Sequence, residues 1–195
     1  MMERFKKQLN FLIEIDQVKN ILRMTSIADG SRRENDAEHS WSLAMMAVLF
    51  AEYVDDQIDL LKVIKMVLIH DLVEIHAGDT FCFDEAGMQD KEAREQASAD
   101  KIFGLLEHDQ GQELRQLWEE FESCETLEAE YAAMLDRLQP LIMNYINEGG
   151  TWAQHQISVE QVYKRNQITL EKGPQVFKDF IHEVIEECVA KGYIK

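Results

Sequence analysis

The side chains in this sequence best suited to chemistry are an adjacent imidazole and carboxylate, His70 and Asp71, in MVLIHDLVEIHAGDT (66–80). These are donor types that a divalent cation takes. Their setting is unusual, because Met66, Val67, Leu68, Ile69, Leu72 and Val73 would suit a helix buried on every side. A carboxylate in such a place without a partner costs several kcal/mol or shifts its pKa strongly. An Arg or Lys ion pair could compensate it, and so could a divalent cation. Neighbouring residues on a helix project about 100° apart, so the two side chains could take adjacent positions around an octahedral ion. Glu74 follows His70 by four and Asp71 by three, which puts it on the same side. A buried hydrogen-bond network is the alternative for this trio.

The dipeptide alone carries little weight. A second one, His108-Asp109 in LLEHDQGQEL, sits among polar residues near Gly111 and reads as a solvated helix C-terminus without function. Two further donors could complete a site around the first pair. His39 lies in NDAEHSWSLAMMAVLF near the start of an apolar helix, where by itself it would pass for an exposed first-turn histidine. Asp136 lies in EAEYAAMLDRLQPLIM, off the main stripe of Tyr131, Met134, Leu135, Leu138, Leu141 and Ile142. Its neighbours by helical angle are Ala132, Ala133, Gln139 and Met143, so it faces a second packed surface.

The elements that must position these residues read as helix after helix. Apolar spacing predicts helices over 3–15, 36–54, 59–75, 89–108, 110–122 and 126–148, then over 158–173 and 174–191, with a short piece at 17–23. Asp36 is expected to cap the second of these, Pro140 to kink the long one, and Pro174 to sit in a first turn. TSIADGSRREND and HAGDTFCFDEAG read as loops, and no alternating strand stands out. With two prolines, nine glycines and 195 residues, the expectation is an all-α single domain over 1–195, its last helices spanning about 158–191.

The formal net charge of −17 repels phosphate backbones and argues against a nucleic-acid groove. A local cluster of arginines and a metal can still favour a small anion inside a pocket. Cysteines 82, 124 and 188 are scattered and lack CxxC spacing, as expected of a reducing, cytoplasmic setting. No long apolar span suggests a membrane segment.

Taken together, RRENDAEHSWSLAMMA, LIHDLVEIHAGDT and EAEYAAMLDRLQPLI resemble the H…HD…D signature of the HD-domain metal-dependent phosphohydrolases, and within them the small 5'-deoxynucleotidase-like branch. The resemblance covers about residues 20–145; the last fifty residues carry no matching motif. It implies an HD-type helical bundle in which His39, His70, Asp71 and Asp136 hold one divalent cation (Mn, Co, Mg, Zn or Fe), leaving about two positions open. It further implies Glu74 as general acid/base, with Asp71 able to share that proton work, and Asp79 beside the substrate. Glu74 and Asp79 could approach a second ion. Arg23 and Arg32 would bind phosphate, and the substrate would be a (deoxy)nucleoside 5'-monophosphate. Met24 stands where relatives carry an aromatic residue. Relatives are often homodimers. Three other readings stay open at this level: a two-iron oxygenase, which needs extra imidazoles such as His76; a helical protein that binds nucleotides without hydrolysis; and a purely structural bundle.

Overall fold

The computed structural model describes every residue except Asp55, Asp56 and Glu85. The chain begins with α1 (Met2–Ile15) and a 3₁₀ turn, then a small hairpin of β1 (Leu22–Ser26) and β2 (Arg33–Asn35). Next come α2 (Asp36–Phe50), α3 (Leu60–Ile69), α4 (Glu74–Ala77), α5 (Lys91–Phe103) and α6 (His108–Ser123). The chain ends with α7 (Leu127–Ile146), α8 (Gly150–His155), α9 (Val159–Arg165), α10 (Gln167–Lys172) and α11 (Gln175–Ala190). The all-α expectation holds apart from the hairpin. No helix among the described residues is long and apolar enough to cross a membrane.

Helix α7 is the axis of the bundle. It packs against α2, α3, α6, α8, α10, α11 and β1. Tyr131, Ala132, Ala133, Leu135, Leu138 and Leu141 are all buried, so it is apolar on more than one face. The chain enters it through Thr126, whose hydroxyl accepts from the Ala129 N–H. Pro140 is accommodated inside the helix and cannot donate to the Asp136 carbonyl four residues back. One contiguous core runs from Phe11 to Ile194.

Several local expectations need correction. TSIADGSRREND is not wholly irregular: β1 and β2 pair antiparallel with Leu22 opposite Asn35 and Ser26 opposite Arg33, and the register shifts between them. Strands of five and three residues with a bulge are too short to show an alternating pattern. Asn35, not Asp36, caps α2, in a reciprocal capping box with Glu38, and this frees Asp36 to turn inward. The helix expected over 59–75 tightens into a 3₁₀ turn at His70–Val73 before α4 resumes. His108-Asp109 opens α6 instead of closing the helix before it, and Asp109 pairs with Arg4 on the surface. The helix expected over 158–173 breaks at Asn166 into α9 and α10. Pro174 stands at the N-cap of α11, one residue outside the first turn. The 76–87 loop includes Glu85, which lies outside the described residues.

Leu135 is fully buried on α7 next to Asp136. Leu135→Ala is expected to lower the unfolding free energy by ~2–5 kcal/mol in urea titration. A loss below ~1 kcal/mol would mean that the centre of α7 is not a packed core.

Candidate metal centre

Three separate elements bring imidazoles and carboxylates to one place. His39 comes from the second turn of α2, His70 and Asp71 from the 3₁₀ turn after α3, and Asp136 from the middle of α7. All four are buried. In the tight turn, residues three apart lie nearly above one another, so Asp71 and Glu74 face the same side.

The hydrogen bonds around the imidazoles fix their orientation. His70 Nδ1–H donates to the Val67 carbonyl at 3.0 Å. His39 Nδ1–H donates to Gln139 Oε1 at 3.1 Å, and Gln139 Nε2 donates to Glu34 Oε2 at 2.9 Å. Each ring therefore turns Nε2 toward the carboxylates, with the tautomer set by the partner of the other nitrogen. His39 Nε2 stands 3.1 Å from Asp136 Oδ1 and 4.0 Å from Asp71 Oδ2. His70 Nε2 stands 3.1 Å from Asp71 Oδ1 and 3.7 Å from Asp136 Oδ1, with no hydrogen bond to either. Lone pairs of imidazole and carboxylate cannot face each other at such distances unless a proton or a metal cation lies between them.

The donor set fits a divalent cation. Donors about 2.1 Å from one octahedral ion stand roughly 3 Å apart when adjacent and roughly 4 Å apart when opposite. His39, His70 and Asp136 offer atoms mutually within 4.8 Å, and Asp36, Asp71 and Glu74 form a second such group. The buried Glu74 Oε2 and Asp36 Oδ2 also lack a hydrogen-bond partner among the described residues. A second group of acids was anticipated as Glu74 with Asp79. Asp79 lines the same cavity but is not in the cluster, and Asp36 takes its place.

Arg23 is the cation buried against this cluster. From β1 its Nη1 reaches Asp71 Oδ2 at 2.7 Å and Asp36 Oδ1 at 3.5 Å, and its Nε lies 3.6 Å from Glu34 Oε1. Burial works against ionisation of Asp71, but the His70 and Arg23 charges outweigh it and lower its pKa. Asp136 is likewise lowered against its burial by His39 and His70. Asp36 moves the other way: burial first, then the Asp71 charge, pushes it up to about 7. Glu74 is raised well above the ordinary range by burial and then by Asp71 and Asp36, and Asp79 is raised chiefly by burial. One set of carboxylates is thus held ionised while an adjacent set is held toward its protonated form.

The loop after α4 delivers Asp79. Gly78 turns the chain with φ +79, a conformation that L side chains rarely adopt. Arg94 on α5 holds the loop by donating to Thr80 Oγ1 and the Gly87 carbonyl, both at 3.0 Å. Arg32 is not brought to the centre. Its side chain is 53% exposed and forms a two-pronged pair with Glu38 at 2.8 and 2.6 Å, and it does not line the cavity. The capping box that starts α2 holds Glu38, and Glu38 holds Arg32 away from the cavity. His76, the extra imidazole a two-iron oxygenase would need, faces Glu14 at 3.1 Å.

Sequence reasoning gives Glu34 and Gln139 no part in the centre and reads Asp36 only as a helix cap. A signal existed for Gln139, three residues after Asp136 on the same helical face. The cavity also receives Lys91, Arg137 and Arg165, for which no sequence signal was available.

A family model described as HD domain matches residues 15–177. The chain is 46% identical to a protein from Magnetospirillum magnetotacticum MS-1 described as a predicted metal-dependent phosphohydrolase; its crystal structure superposes with a TM-score of 0.91 over 98% of this chain and 95% of that one. It is 29% identical over 135 residues to human 5'-deoxynucleotidase HDDC2, covering 69% of this chain and 65% of that protein. The Dictyostelium discoideum 5'-deoxynucleotidase HDDC2 is 31% identical over 117 residues, 57% of this chain and 62% of that protein. The matched stretch therefore spans less than two thirds of either relative.

Burial alone would lower the His70 pKa, but Asp71 and Asp136 raise it to about 10, so at neutral pH the metal-free protein holds a proton there. A cation must displace that proton. Metal binding is expected to release protons at pH 7 and to tighten as pH rises toward 10, read by calorimetry in buffers of differing ionisation enthalpy. His70→Ala should abolish the release and at least most of the binding; full binding by this variant would remove the centre.

Proposed function

Because this chain belongs to the HD domain family, we propose that it is a metal-dependent phosphohydrolase that cleaves nucleoside 5'-monophosphates, deoxy forms included. The observation that carries this reading is the convergence of His39, His70, Asp71 and Asp136, the last three of which line a cavity that also holds arginines. A divalent cation bound by these residues supplies Lewis-acid chemistry, polarising a phosphoryl oxygen and lowering the pKa of water.

The chain's own residues supply the rest. Glu74 has its affinity for a proton raised by burial and neighbouring acids, and its Oε2 has no hydrogen-bond partner among the described residues, so it suits the work of general acid and base. Asp79 reaches the same cavity from its loop and orients the bound substrate. Arg23 keeps Asp71 ionised and aimed, which leaves Asp71 a ligand more than a proton carrier. Met24, Phe81 and Trp152 line the cavity beyond the acids and offer apolar surface to a sugar and base.

We also propose a homodimer in a cytoplasmic setting. Trp41, Met45, Val48 and Leu49 are 41–65% exposed at helical spacing on α2, an apolar stripe that a second copy would cover. The cysteines stand free, as in a reducing compartment.

Phosphate release from a panel of nucleoside monophosphates, with Mn, Co or Mg and with chelator, tests the activity. Release is expected only with metal, and Glu74→Gln should lower kcat about 10²–10⁴-fold while keeping metal content. Binding without release would favour the non-hydrolytic alternative. For the dimer, wild type should sediment at twice the mass of Leu49→Glu; a monomeric wild type would overturn it.

A further inference from the structure

The two imidazoles of the centre are held differently. His70 Nδ1–H donates to the Val67 carbonyl, a backbone oxygen that can only accept, so its Nε2 keeps a lone pair. His39 Nδ1 faces the side-chain amide of Gln139 at 3.1 Å, and an amide carries no such instruction. Its oxygen accepts from Nδ1–H, but its NH2 group, turned to the same place, would donate to a bare Nδ1 and send the proton to Nε2. Asp136 favours that second choice, because its Oδ1 stands 3.1 Å from His39 Nε2 and would accept from a proton carried there. A histidine protonated on Nε2 offers no lone pair to a cation on that side.

Glu34 decides between the two. It stands on β2, and its Oε2 lies 2.9 Å from Gln139 Nε2. A carboxylate accepts and does not donate, so the amide must show its NH2 group to Glu34 and its oxygen to His39. The chain of donors and acceptors then runs one way, from His39 Nδ1–H through Gln139 to Glu34. Glu34 and Gln139 are each only 2% exposed, so water does not compete for the ends of the chain. Glu34 Oε1 also stands 3.6 Å from His39 Nδ1, on the side where the proton must stay. Neither residue lines the cavity of the metal centre; both border a separate hollow with Trp41 and Met143. Their influence on the centre therefore passes through His39 and, for Glu34, also through Arg23, whose Nε faces Glu34 Oε1 at 3.6 Å.

We propose that Glu34 is a positioning residue of the metal centre: through Gln139 it keeps the His39 proton on Nδ1 and so leaves Nε2 open to a cation. The proposal rests on the metal-dependent reading of the site. A carboxylate outside the cavity thereby offsets the pull of Asp136 on the opposite nitrogen. His70 needs no such device, because a backbone carbonyl already fixes its tautomer. Partners one layer behind a ligand change metal affinity by about 10–100-fold.

The test titrates zinc calorimetrically into the full-length metal-free protein, locates the His39 proton by nitrogen NMR of the metal-free protein at alkaline pH, and records melting temperature in parallel. Glu34→Gln keeps the shape and removes the acceptor-only end of the chain. It should weaken zinc binding about ten- to a hundredfold and move part of the His39 signal to the Nε2–H form. The double variant Glu34→Gln with Gln139→Glu sets the carboxylate directly against His39 and should recover both. It returns no charge to position 34 beside Arg23, so recovery isolates the path through His39. If Glu34→Gln keeps wild-type zinc affinity and the Nδ1–H form while only its melting temperature falls, Glu34 merely packs the hairpin and the proposal is overturned. A wild type with its His39 proton on Nε2, or a folded double variant that does not regain the Nδ1–H form, overturns it as well. Zinc binding and the His39 signal changing as expected, with no phosphate ester hydrolysed by wild type, would sustain the positioning role and sink the hydrolase reading alone.

Discussion

The structure depends on a charge problem solved at its centre. Asp36, Asp71, Glu74 and Asp136 are buried side by side with two imidazoles and one arginine. Carboxylates at such density cannot all be ionised in a low-dielectric interior without cations among them. Arg23 and the imidazoles neutralise Asp71 and Asp136, while Asp36 and Glu74 are driven toward their protonated forms. The arrangement costs stability as a metal-free scaffold and is well suited to receive a divalent ion. A bundle selected for stability alone would be better served by apolar side chains at these positions.

The elements around the centre can be understood as supports for it. The capping box at Asn35 starts α2 one residue before Asp36, which fixes how that carboxylate enters the interior. The 3₁₀ turn at His70–Val73 lines up Asp71 and Glu74 on one side. Gln139, one turn beyond Asp136 on α7, orients His39 and is itself held by Glu34 from the hairpin. His39, Asp71 and Asp136 are thus each held by a partner from another element, which keeps these donors in place.

The overall charge and the cavity charge oppose each other. The chain as a whole carries −17, yet one wall of the cavity gathers Arg137 and Arg165 around a single carboxylate oxygen. Anions are disfavoured over most of the surface, and cations gather at one cavity. For a small phosphate ester this limits unproductive binding, and for a polyanion such as nucleic acid it denies any extended track.

The sequence by itself determined the helical class, from apolar spacing and the scarcity of proline and glycine, and it singled out four residues that the fold brings together. His70-Asp71 stood out because an uncompensated acid in an apolar run is physically anomalous, and Asp136 because it faced alanines instead of water. Those are local signals, carried within one or two helical turns. What the sequence could not reveal is which charges cancel which. Arg23 and Arg32 looked alike in the chain, but one is buried against three carboxylates and the other is held on the surface by Glu38. Asp36 looked like a cap, and nothing in the chain marked Arg165. Ion pairing falls off over a few ångströms, and residues separated by a hundred positions meet only after the helices pack. Tertiary structure alone therefore decided which arginine is drawn into the buried cluster and which is held at the surface.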